Sequence, residues 1–180
     1  MEDWLHKDPY SESACDRMYV RLDELGNETP LTVNRIMYTI YHKDARDIRT
    51  VGCKRFGIQV WLKGIYVHND LMFLHVSVRN PSRIPFEIDY IRFKVADKKV
   101  VRRTALQETF VKPLRVYNEV TEIGPAENAR SVFAFSKIAL PDEKVLVMEI
   151  YEKNGGRHQT FRIESTDLIK GRPIDELKIR

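Results

Sequence analysis

From Gly52 onward the chain changes its hydrophobic period, and that change limits what it can fold into more than any other feature. Ile58, Val60 and Leu62 alternate with Gln59, Trp61 and Lys63, the two-residue period of a half-buried strand. Gly64 admits a bend or bulge before residues 65–67. His68-Asn69-Asp70 reads as a turn, and residues 71–79 as the strongest strand, with Met72, Leu74, Val76 and Val78 on one face. Pro81 and Pro85 punctuate a loop before a strand over 86–95, which Asp97-Lys98-Lys99 turns into another over 100–104. Segments 108–112 and 114–117 flank Pro113, which suggests an edge strand. A short strand over 131–135 follows, then strands over 145–152 and 160–163 joined through Asn154-Gly155-Gly156 as a hairpin. Short strands at this spacing, uninterrupted by long helical patterns, predict an antiparallel β-sandwich, immunoglobulin-like or similar, rather than βαβ units.

The front of the chain has a helical period instead. Ser13 reads as an N-cap for a helix carrying Met18, Val20, Leu22 and Leu25, stopped by Gly26-Asn27. Thr29-Pro30 opens a second helix with Val33, Ile36, Met37, Ile40 and Tyr41 on one face, and its charged far end runs to Gly52. The expected organisation is therefore a flexible lead-in and two-helix segment over 1–52, a sandwich over 53–175, and a tail over 176–180. The whole stretch from residue 168 onward, with Pro173 and alternating charges, reads as a surface run.

At 180 residues, 43% apolar and 31% charged, the chain falls in the globular range, and its formal charge of +4 is mild for a dedicated nucleic-acid binder. No apolar run approaches the length of a spanning helix, and residues 1–9 carry neither a basic n-region nor an apolar h-region, so no export signal is read. Cys15 and Cys53 leave two readings open, a single disulfide or two free thiols.

Catalytic motifs are not found. The histidines, His6, His42, His68, His75 and His158, stand singly, without a second ligand at a metal spacing, so neither a metal nor a cofactor is expected. His75, inside a strand, reads as a satisfied core histidine. Glu87 and Asp89 share a strand face and read as solvated carboxylates rather than an acid/base pair. An enzyme is not expected. One charge feature stands out: Lys98, Lys99, Arg102 and Arg103 gather around one hairpin, with Arg92 and Lys94 on the strand entering it. This is a candidate interaction patch for an anionic or protein partner. Its alternative reading is basic decoration that discourages edge pairing. Trp61, Tyr66, Phe73, Tyr90 and Phe93 could include an exposed aromatic anchor among mostly core residues.

Longer strings carry a resemblance. Residues 62–67 (Leu-Lys-Gly-Ile-Tyr-Val), 74–80, and 84–93 (Ile-Pro-Phe-Glu-Ile-Asp-Tyr-Ile-Arg-Phe), then 97–105 with Gln107-Glu108, and 149–158 (Glu-Ile-Tyr-Glu-Lys-Asn-Gly-Gly-Arg-His), resemble the TraN family of conjugative transposons in Bacteroides-type bacteria. That family is taken to resemble the outer-membrane core subunit of type IV secretion systems. The resemblance covers most of residues 51–173. It implies a C-terminal β-domain acting as a non-enzymatic structural part of a DNA-transfer channel. It also implies a periplasmic, outer-membrane-associated location, homo-oligomeric assembly, and contact with a lipoprotein and an inner-membrane-anchored component. The leader and N-terminal β-domain typical of the family are not seen in this sequence. Two rival readings remain on the residues alone: a nucleic-acid-binding β-module using the basic hairpin, with direct nucleic-acid binding the less expected, and a carbohydrate-binding sandwich with aromatics laid in a groove.

Overall fold

Alternation of apolar and polar residues resolves into two antiparallel sheets packed face to face, with a helix on the back of one of them. The computed structural model describes Leu25, residues 27–99 and residues 108–177. The first predicted helix, Cys15 and the strand expected over 100–104 lie outside those residues. A helix, α1 (Pro30–Lys43), precedes β1 (Gly52–Arg55), β2 (Ile58–His68), β3 (Leu71–Asn80), β4 (Phe86–Asp97), β5 (Thr109–Val111), β6 (Arg115–Tyr117), β7 (Glu122–Ile123), β8 (Glu127–Ser136), β9 (Lys144–Glu152) and β10 (Gln159–Glu164). A short helix α2 (Ser165–Ile169), the two-residue β11 (Arg172–Pro173) and a 3₁₀ turn (Ile174–Leu177) close the described chain. The first sheet runs β1-β2-β3-β8-β6 with β11 beside β2; the second runs β10-β9-β4-β5 with β7 beside β4.

The sandwich core follows from the strand period. Ile58, Val60 and Leu62 of β2 and Met72, Leu74, Val76 and Val78 of β3 meet Phe93 of β4, Leu146, Met148 and Ile150 of β9, and Phe161 and Ile163 of β10. Past Leu62 the parity of β2 slips, so that Ile65 continues the inner face while Tyr66 turns outward. The slip is a bulge between Leu62 and Gly64, as the glycine suggested. Glycine is required there, because a Cβ would come within 2.7–2.9 Å of the Tyr66 ring.

The outer face of the first sheet is also covered. Thr29 caps α1, accepting a hydrogen bond from the Thr32 N–H at 3.2 Å, and Pro30 occupies the first turn. Its stripe of Val33, Ile36, Met37 and Ile40 packs with Tyr66, Leu71, Phe73, Val132 and Ala134. Thus β3, central in the sheet, is buried on both faces along nearly its whole length.

Three details differ from the sequence reading. The helix ends at Lys43 rather than near Gly52. Asp44 takes a left-handed conformation (φ 50°), and its N–H bonds the Ile40 carbonyl. The charged residues beyond it offer no apolar stripe to extend the helix. The strand expected over 131–135 is β8, twice as long, because it pairs with β3 from Leu71↔Ser136 to Asn80↔Glu127. The run from residue 168 is not a surface strap. Leu168 is buried in the sandwich core, and Ile174 and Leu177 join the α1 layer at 2% and 3% exposure. Pro113, by contrast, marks a sheet edge as expected, although the chain there forms two edge strands rather than one. It lies where the chain passes from β5 in one sheet to β6 in the other.

Candidate functional site

The outward face of the second sheet gathers most of the chemistry that the sequence singled out. Arg92 projects from β4 opposite Glu149 of β9, and its Nε bonds the carboxylate while Nη2 donates to Tyr151 Oη at 3.0 Å. Its guanidinium lies 4.9 Å from the Tyr151 ring centroid, 5.2 Å from Phe110 and 5.6 Å from Tyr90. Tyr90 stacks on Tyr151 with centroids 4.6 Å apart, and His158 adds a third ring at 4.6 Å from Tyr151. Tyr90 and Phe110 remain 41% and 61% exposed. Two rings and a cation therefore face outward on a rigid sheet.

Lys94, two residues along the same face, pairs with Glu149 at 2.9 Å and with Glu108 at 2.9 Å. Burial raises the pKa of Glu149, but hydrogen bonds from Lys94 and Arg92 outweigh it and hold the carboxyl below its ordinary value. The same bonds push both cations up. Lys98 pairs with Glu164 at 2.9 Å, and Lys99 is exposed at the end of the described segment. Arg102 and Arg103 lie outside the described residues. The predicted patch is therefore, at Arg92, Lys94 and Lys98, a set of matched ion pairs rather than an open cationic field. Sequence reasoning missed Glu149, Tyr151, Phe110 and His158 as parts of this face. The available signal was Glu149, a lone carboxylate inside the apolar run of β9.

A second polar group lies under α1. The Asp44 carboxylate bonds Lys63 of β2 and Arg130 of β8, the latter at 2.6 Å, and stands 3.8 Å from His75 Nε2 of β3. Asp47 accepts from Tyr66 Oη at 2.9 Å and pairs with Arg172 at 2.8 Å. His75 is fully buried, yet neither ring nitrogen has a hydrogen-bond partner among the described residues, so it is not the satisfied core histidine that its strand position suggested. Burial, then the charge of Lys63, pushes its pKa down to about 4. This network is a helix latch, in which one carboxylate ties the C-terminus of α1 to two strands, β2 and β8.

The remaining candidates are plainly placed. Glu87 and Asp89 are exposed and make no ion pair among the described residues. Cys53 is half-buried against Gln159, and burial raises its thiol pKa. Tyr66, Phe73 and Phe93 are core, Trp61 is half-buried under Arg46, and Tyr90 is the exposed aromatic. Among the described residues no cluster of His, Cys, Asp and Glu has the arrangement of a metal site.

No curated protein matches the chain. Residues 30–173 match a family model described as Domain of unknown function (DUF4138), a span that begins with α1 and ends with β11. With well over half of its 180 residues matched, the chain belongs to that family.

Proposed function

We propose that the protein is a non-enzymatic structural subunit of a conjugative DNA-transfer apparatus of the TraN kind, working by protein–protein assembly in the cell envelope. Its partners in this reading are a lipoprotein and an inner-membrane-anchored component of the same apparatus, on the periplasmic side of the outer membrane. The observation that carries the reading is the face around Arg92. Aromatic side chains and arginine are the residues most enriched among energetic anchors of protein interfaces, and here they are held rigidly on a sheet. Because Glu149 and Glu108 match the charges of Arg92 and Lys94, the face favours a shaped protein surface over a nucleic-acid backbone, which binds through unmatched cations. The long strings shared with the TraN family, residues 84–93 and 149–158, contribute this same face.

The test is co-expression of the chain with the other envelope components of a conjugation cluster, followed by purification on a partner's tag. Retention of the wild type, lost in a folded Tyr90→Ala, Phe110→Ser double variant, supports the reading. A chain that never co-purifies, or a double variant retained as well as wild type, overturns it.

A further inference from the structure

The two lateral margins of the sandwich carry complementary features that nothing within the described chain satisfies. On one margin, β1 and β10 come together, with Gln159 Nε2 donating to the Arg55 carbonyl at 3.1 Å. Here the β1–β2 hairpin turns through two residues, Phe56 and Gly57, since Arg55 pairs with Ile58. Both central residues are left-handed, φ 51° and 77°, the geometry of a type I′ turn. Asparagine or glycine suits the first of these positions. A bulky aromatic there is a conformational outlier that costs about 1 kcal/mol or more and is characteristic of functional positions. The ring of Phe56 is 61% exposed, and Lys54 and Arg55 beside it are exposed and without ion pairs among the described residues. The tip is thus an aromatic knob with two cations.

The opposite margin has a slot. Along it β4 is paired by β7 at Phe86 and Glu87 and by β5 from Phe93 to Val95, while the stretch from Asp89 to Arg92 between them, which pairs with β9 on its other side, has no partner strand on this edge among the described residues. Beneath this gap lies a cavity of about 120 Å³ between the sheets, lined by Ile91, Val116, Val120 and Phe133, with Asp89 and Glu119 at its rim. A cavity of about 150 Å³ holds a whole benzene ring, so this smaller one admits only the leading edge of an aromatic ring. Glu87 and Glu122 stand directly across the ladder from each other just above, a like-charge pair that destabilises itself. None of these four carboxylates is in an ion pair among the described residues, whereas Arg92, the cation on the same stretch of β4, is already paired with Glu149.

We infer that these features meet between copies. The Phe56 tip of one molecule seats the edge of its ring in the mouth of the slot of the next, with Lys54 and Arg55 against Asp89 and Glu119. A contact of slot against slot would oppose like charges, so a two-fold arrangement through this margin is disfavoured. The tip and the slot lie on opposite margins, so the contact is heterologous and repeats head to tail, closing into a ring or running on as a filament. The inference rests on the assembly reading but names a different surface from the Arg92 face.

Sedimentation of the full chain over a wide concentration range tests it. The wild type should show a concentration-dependent rise in mass that falls with added salt. Phe56→Asn supplies the residue the turn prefers. It should match or exceed the wild type in thermal stability while weakening association by about tenfold or more, a combination that misfolding cannot produce. The double reversals Lys54→Glu, Arg55→Glu and Asp89→Lys, Glu119→Lys should each be monomeric alone. Mixed together, the two should associate again, because every tip then meets a slot of opposite charge. A wild type that is monomeric at all concentrations, undiminished association of Phe56→Asn, or no recovery on mixing overturns the inference. Co-purification of the Phe56→Asn chain with the envelope partners then distinguishes failure of this contact from failure of the assembly reading.

Discussion

At His75 a fully buried imidazole neither donates nor accepts a hydrogen bond among the described residues, and the charges of Lys63, Asp44, Arg130 and Asp47 act on it. Its pKa in the fold, about 4, lies below the value near 6.5 that it has when solvated. As pH falls from neutral, the unfolded chain takes up the proton first, so acidification costs stability through the window from about 6.5 down to about 4. With about 1.4 kcal/mol for each unit of displacement, the full effect is about 3 kcal/mol. The carboxyls of Asp44 and Glu149, held below their ordinary values, add acid sensitivity only in a lower range. His75→Leu should therefore flatten the fall in urea midpoint between pH 6.5 and 4.5, while leaving stability at pH 7 equal or higher, since two unpaired nitrogens leave the interior. A midpoint that falls with acid as steeply as in the wild type would refute this account. Nothing in the sequence announced this environment. Strand parity places His75 opposite the sandwich core, but the cations around it come from β2 and β8, and the helix terminus comes from outside the sheet.

Among the elements, the junction of α1 with the first sheet holds the clearest energetic lever. Lys63 has a side chain only 9% exposed, and Asp44 is its carboxylate partner. Removing one partner of a buried pair costs about 3–5 kcal/mol, and the 42% exposure of Asp44 reduces the figure here to about 2 kcal/mol. Asp44→Ala should lower the urea midpoint accordingly and raise amide exchange in α1 more than in β9. Equal exchange in both elements would mean that the helix is not latched this way. The strands were legible because alternation needs only local sequence, and Gly64 even marked the bulge. Which sheet each strand joins was not legible. It depends on pairings such as Leu71↔Ser136 and Arg92↔Glu149, whose partners are far apart in the chain. For the same reason the basic patch read as exposed cations, when the neutralising Glu149 arrives from β9.

In the whole molecule the first sheet is a middle layer, with the second sheet on one face and α1 and the 3₁₀ turn on the other. Ile174 and Leu177 seal that outer layer from the far end of the chain. Burying each stabilises by about 1.5–3 kcal/mol, so the double variant Ile174→Ser, Leu177→Ser should lose about 3–6 kcal/mol and melt far below the wild type in calorimetry. A small shift in melting temperature would show instead that the layer closes without them. The margin asymmetry belongs to this scale as well: one side of the sandwich is sealed by β1 and β10, while on the other, among the described residues, part of the outer edge of β4 is left unpaired.

The long pairing between β3 and β8 also bears on how the molecule is made. When β2 and β3 have left the ribosome and folded back on each other, the other edge of β3 still waits for β8, which begins to pair only at Glu127. Until then an apolar strand destined for burial on both faces presents a naked edge, the kind of surface on which unfinished chains stick to one another. The interval of synthesis between β3 and β8 is thus an aggregation-prone one, and a chaperone that guards the chain then has β3 to cover.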